Sequence, residues 1–191
     1  KRRRYSKRDS AVSCGRIPFL KGRMKMKLRI AGITDDSVVD GDGYRFTIFT
    51  QGCHHHCSGC HNPQTWTMEG GHDADTDELL KDILKNPLLA GATFSGGEPF
   101  LQAKPLSILA RKLHEQKKNV WCYSGWTYEE LSSNPDTDIQ DLLAEIDVLV
   151  DGPFIADQKD LTLHFRGSRN QRVIDMKKTR DTGHVVLKYT D

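Results

Sequence analysis

Three cysteines, Cys53, Cys57 and Cys60, fall within eight residues at the spacing C-x3-C-x2-C. No other feature constrains the chain as much. The run before them, Tyr44-Arg-Phe-Thr-Ile-Phe-Thr-Gln51, has the β-branched and aromatic content of a strand. The thiols therefore sit in a loop at a strand's C-terminal end, where α/β proteins place their ligand sites. Three thiols cannot all pair as disulfides. A structural zinc site takes four ligands, and His54, His55, His56 or His61 offers a fourth. A 4Fe–4S cube also takes four ligands, thiolates being the usual ones. Three cysteines would leave one iron open, as a catalytic metal site requires. Spacing alone leaves the cluster, zinc and an incidental cysteine group all open.

The 191 residues suffice for one domain with a real core. No apolar run approaches the roughly 20 residues of a membrane span, so no membrane partner is expected. Five cysteines, three of them clustered, suit a reducing cytosol better than a secreted fold, and the expected localisation is cytoplasmic. Charge is uneven. Residues 1–25 hold ten Lys/Arg and one Asp, a net of +9, whereas residues 26–191 hold 18 Lys/Arg against 25 Asp/Glu, a net of −7. A nucleic-acid partner would rest on the basic arm alone and is not expected. The arm lacks the apolar stretch of a signal peptide. It reads as a disordered extension of residues 1–25 preceding a domain of residues 26–191, with Cys14 a bystander, and function is expected to survive a start at Met26.

Along the chain, Lys27–Ile33 reads as a strand and Thr34–Gly43 as a turn. Trp66 either shields the thiol loop or packs in the core. Asp75 with Glu78 makes a helix start, with Leu79, Leu80, Ile83 and Leu84 as its apolar face. Ala92-Thr-Phe-Ser95 is a strand ending on Gly96-Gly97-Glu98-Pro99. Two glycines there permit close backbone approach to a ligand, and the carboxylate can accept from an ammonium group. Pro105 suits a first helical turn, with Leu106, Leu109, Ala110 and Leu113 facing inward. Val120–Ser124 is a strand, on which Cys122 reads as a buried apolar residue. Thr127-Tyr-Glu-Glu130 is a capping box, followed by a helix over Ile139–Ile146 and a buried strand, Asp147–Asp151. Leu161–Phe165, Arg172–Met176 and Val185–Tyr189 read as further strands. Strand–helix alternation implies a parallel sheet with right-handed crossovers. Residues 26–191 fall short of the at least about 200 residues of a closed (β/α)8 barrel.

The cysteine spacing, followed by Thr93-Phe-Ser-Gly-Gly-Glu-Pro-Phe100 in the same order, resembles the radical S-adenosylmethionine (SAM) superfamily. Within it, Gln51–Trp66, Trp121–Trp126, Asp147–Phe154 and Phe165–Gln171 resemble the activating proteins of anaerobic ribonucleoside-triphosphate reductases, a glycyl-radical enzyme activating family. Many superfamily members carry an aromatic residue before the third cysteine, where this chain has Gly59. The resemblance implies an α/β fold, an incomplete, open β/α barrel of about five or six β/α units. It implies a 4Fe–4S cluster on Cys53, Cys57 and Cys60, and SAM held by Gly96, Gly97 and Glu98, with Ser124, Asp151 and Arg166 as further contacts. SAM cleaved by one electron would give a 5′-deoxyadenosyl radical that takes a hydrogen from a glycine Cα of the reductase large subunit. An electron donor such as flavodoxin or ferredoxin is implied as a second partner. No catalytic residue is expected beyond these sites. The competing readings are an activator of another glycyl-radical enzyme, a small-molecule radical SAM enzyme such as a deazaguanine synthase, and a non-enzymatic electron carrier or zinc-binding module. The histidine run reads as loop residues that tune the cluster or face a partner.

Overall fold

The computed structural model describes residues 26–190. The expectations for residues 1–25, including Cys14, lie outside the described residues. One seven-stranded sheet organises the chain, in the order β3-β1-β2-β4-β5-β6-β7. Four central strands run parallel: β2 (Tyr44–Thr50), β4 (Leu89–Gly96), β5 (Asn119–Tyr123) and β6 (Val148–Asp151). Antiparallel strands complete both edges, β1 (Lys27–Ser37) and β3 (His72–Asp75) on one side and β7 (Arg172–Asp175) on the other. The sheet is open, as expected for an unclosed barrel.

Parallel neighbours need crossovers, and helices supply them. They are α1 (Thr76–Lys85), α2 (Ala103–Glu115), α3 (Tyr128–Ser132) and α4 (Thr137–Glu145), with α5 (Met176–Thr182) after β7. Their starts follow the sequence signals. The Asp75 carboxylate accepts from the backbone N–H of Asp77 and Glu78, and the Thr127/Glu130 capping box closes in both directions. Leu106, Leu109, Ala110 and Leu113 of α2 are fully buried against Ile48, Phe94, Val120, Cys122 and Leu149 in the main core. A fully buried side chain of this size contributes about 1.5–3 kcal/mol. The other sheet face carries a smaller cluster, Trp121, Val148, Val150 and Val173, covered by Phe165 and Tyr189.

Several elements differ from the expectation. Strand β1 continues through Thr34–Asp36, which read as a turn, and absorbs them with register shifts at Ile30/Gly32 and Thr34/Ser37. β3 carries no apolar alternation; Asp73 draws it to β1 through Lys27 and Arg29. Of the four apolar residues expected on the inner face of α1, Leu79 and Ile83 are buried while Leu84 lies exposed, because one i,i+4 stripe meets the sheet. Leu161–Phe165 is not a strand: Leu161 points to solvent and Phe165 takes φ +53. Val185–Tyr189 contributes a single bridge, Ile174 to Leu187, in place of a full strand.

Candidate cluster and SAM site

Four loops leave the C-terminal ends of the parallel strands on one side of the sheet. The cysteine loop follows β2, Gly97-Glu98-Pro99 follows β4, Ser124-Gly125-Trp126 follows β5 and Gly152-Pro153-Phe154 follows β6.

The first two are fastened backbone to backbone. Gly97 N–H donates to the Thr50 carbonyl and Glu98 N–H to the Gly52 carbonyl, both at 2.8 Å. This contact explains the glycines. A Cβ on Gly97 would lie 2.3 Å from the Gly52 carbonyl oxygen, and Gly96, at φ +93, would place one 2.6 Å from the Phe49 Cα. The close approach expected toward a ligand is made first to the chain's own cysteine loop.

Glu98 is 1% exposed and central. Its Oε1 accepts from Phe100 N–H at 3.1 Å, and its Oε2 accepts from Gly125 N–H at 2.9 Å. Ser124 Oγ donates across both oxygens at 3.1 Å. His55 Nε2 stands 2.9 Å from Oε2. A carboxylate has about four lone-pair sites; three of these groups donate to it, and His55 makes a fourth when its Nε2 carries the proton. The carboxylate therefore offers a cation its negative charge, not an empty lone pair. Ser124 lies against the Glu98 carboxylate.

The three thiols share the loop, each half-buried and none in a disulfide. Burial raises the Cys53 thiol above its ordinary value. Backbone N–H groups of His55 and His56 act in the opposite direction, and the Glu98 and Cys57 charges add to the rise. Asn62 N–H donates to Cys60 Sγ at 3.4 Å. Amide donors aimed at sulfur are what a thiolate-held iron–sulfur cluster uses to set its potential, so the donor set fits a 4Fe–4S cluster. Among the described residues no three His, Cys, Asp or Glu side chains form a closed ligating group. Cys122 is fully buried, and burial pushes its thiol well above the ordinary range, as suits an inert core residue.

Asp151 and Arg166 make separate contacts of their own. The Asp151 carboxylate, 1% exposed, accepts from the Arg172 guanidinium at 2.5 and 3.0 Å and from Tyr128 N–H at 2.7 Å. It joins β6, β7 and the start of α3. Arg166 donates to the Gln171 carbonyl at 3.3 Å. Its loop is tied to the one after β6: Asn170 Nδ2 donates to the Pro153 carbonyl and Gln171 Nε2 to the Gly152 carbonyl. Phe154 in turn stacks near His61, with ring centroids 5.0 Å apart, and reaches the cysteine loop. Trp66 packs against the loop, its ring parallel to that of His56 at 4.8 Å.

Two residues escaped the sequence reading. Gln102 Nε2 donates to the carbonyls of Arg29 and Gln51, and Gln51 Nε2 donates to the Thr67 carbonyl at 2.7 Å. Together they pin the base of the cysteine loop. No local pattern marks such long-range amide bridges.

A three-thiol loop fastened to a Gly-Gly-Glu turn at one end of an open parallel sheet defines a single-cluster iron–sulfur protein, and the 4Fe-4S single cluster domain model matches residues 39–174. The anaerobic ribonucleoside-triphosphate reductase-activating protein of Vibrio cholerae is 39% identical over 142 residues, covering 70% of this chain and 89% of that protein. The pyruvate formate-lyase-activating enzyme of Clostridium pasteurianum is 38% identical over 123 residues, 60% of this chain and 52% of that one. A solved structure of QueE from Escherichia coli aligns over 53% of this chain and 54% of that chain at 18% identity, with a TM-score of 0.44. The chain belongs to the family of anaerobic ribonucleoside-triphosphate reductase-activating proteins.

Proposed function

We propose that the chain is the radical SAM activating enzyme of an anaerobic ribonucleoside-triphosphate reductase, and that it generates a glycyl radical on the reductase large subunit. The observation that carries this reading is the backbone fastening of the cysteine loop to the Gly96-Gly97-Glu98 turn, supported by the named relatives. When bound, the cluster supplies one electron and SAM the 5′-deoxyadenosyl radical that removes a glycine Cα hydrogen from the partner. Cys53, Cys57 and Cys60 hold the cluster. The turn of Gly96, Gly97 and Glu98 binds the SAM amine, with the buried Glu98 charge facing the ammonium group and Ser124 fixing that carboxylate. Asp151 and Arg166 shape the segment between β6 and β7, Asp151 through Arg172 and Arg166 through the Gln171 carbonyl. The working unit is residues 26–191, in the cytoplasm, with flavodoxin or ferredoxin as electron donor. Among the described residues no helix is long and apolar enough to cross a membrane.

A second reading changes only the partner, because the pyruvate formate-lyase-activating relative is nearly as similar over its shorter match. The deciding experiment is anaerobic reconstitution with iron and sulfide, then electron paramagnetic resonance of the reduced protein with and without SAM. A cluster signal reshaped by SAM is expected, followed by a glycyl-radical signal on the reductase and none on pyruvate formate-lyase. A cluster indifferent to SAM, or uptake of zinc in place of iron, sinks the radical reading.

A further inference from the structure

We propose that His55 is a positioning residue that holds the cysteine loop in register with the Gly-Gly-Glu-Pro turn by anchoring its ring on Glu98. The proposal rests on the function above and assigns a task to the middle residue of the gap between Cys53 and Cys57.

The loop has few ties of its own in this gap. Cys53 N–H donates to the Trp66 carbonyl at 3.1 Å. The His55 ring makes the crossing to β4, with Nε2 at 2.9 Å from Glu98 Oε2 and the side chain 15% exposed. With Nε2 protonated, the ring donates to the carboxylate, a charge-assisted bond stronger than a neutral one.

The anchor is rigid from its other side. Phe100 N–H, Ser124 Oγ and Gly125 N–H hold Glu98 without His55, so Glu98 positions His55 and not the reverse. The ring's berth is built for it. A Cβ on Gly125 would come within 2.5 Å of His55 Cδ2, so only glycine leaves room for the imidazole. Trp126 closes the berth edge-on, its ring centroid 5.0 Å from that of His55 at 77°, and meets His54 at 4.9 Å. His56, at φ +49, stacks on Trp66 on the opposite side of the loop. His54 and His56 stay exposed, and His55 alone of the run reaches the turn that would bind SAM.

The test compares reconstituted wild type, His55→Ala and His55→Gln by iron content, SAM dissociation constant and the SAM-induced change in the reduced-cluster resonance. A metal-free thermal-unfolding cycle of His55→Ala, Glu98→Gln and the double variant runs alongside. His55→Ala is expected to keep its iron, bind SAM about tenfold more weakly and show a blunted resonance change. His55→Gln, whose amide N–H can reach the carboxylate, is expected to recover most of both. The double variant should melt no lower than the worse single one, since both remove the same bond. SAM affinity unchanged or tightened in His55→Ala, iron lost from both His55 variants, or additive melting shifts would each overturn the proposal. A wild-type cluster that ignores SAM would instead fail the functional reading, and the melting cycle would still decide whether the His55–Glu98 anchor exists.

Discussion

At the scale of single residues, the site is built by what glycine lacks. Of the glycines in the two fastened loops, Gly97 is the most tightly constrained, since any side chain there would collide with the Gly52 carbonyl. Gly97→Ala is expected to break the Glu98–Gly52 backbone bond and cost at least about 2 kcal/mol. The same variant should release iron faster from the reconstituted protein under a chelator. Iron retention equal to wild type would show that the two loops are not coupled through this contact. The Gly-Gly-Glu letters announce a ligand turn; that the glycines serve the neighbouring loop appears only when β2 and β4 lie side by side.

At the scale of elements, the long segment between β6 and β7 is held by polar braces in place of a strand. Asp160 accepts from Thr162 Oγ1 at 2.7 Å and Thr162 N–H at 2.9 Å, and from Arg169 at 2.9 and 3.1 Å. These bonds, those of Thr162 first, pull its carboxyl from 3.8 to about 2. A carboxyl depressed on folding stabilises above its unfolded value and loses that contribution as pH falls through the folded one. The brace is therefore complete above about pH 4 and released toward pH 2. Hydrogen exchange read by mass spectrometry should show residues 155–171 opening across that window, beyond the intrinsic change of exchange rate. Asp160→Asn should remove the step; a step that persists would assign it to another carboxyl. Leu161–Phe165 reads as a strand in the sequence, but a short apolar stretch carries no information about a partner edge, and here Leu161 faces solvent.

At the scale of the whole molecule, Arg172 fastens the last strand, β7, to β6 and α3. Its guanidinium bridges buried Asp151 on β6 and Glu129 on α3. Arg172→Met would leave the Asp151 carboxylate buried with Tyr128 N–H as its remaining hydrogen-bond donor. Breaking such a pair costs about 3 kcal/mol, which in a chain of this length lowers the melting midpoint by on the order of 10 °C. Adding Asp151→Asn should recover part of the loss, because the unpaired charge goes with it. If the double variant melts lower still, Asp151 serves another partner.

Local chemistry was enough to identify the cysteine loop, the Gly-Gly-Glu turn, the α2 face and the helix caps, since each depends on residues close in sequence. Thiol spacing, 3.6-residue periodicity and capping side chains act within a turn or two. Strand–helix alternation pointed to a parallel sheet and length argued against a closed barrel, while the open form was implied by the family resemblance. Tertiary structure alone decided the antiparallel edges, the pairing of Asp151 with Arg172, the amide bridges of Gln51 and Gln102, and the meeting of His55 with Glu98. The side-chain contacts among them join residues 16 to 73 positions apart. Their energy depends on burial and on a partner's exact placement, and neither is written in the neighbours of either residue.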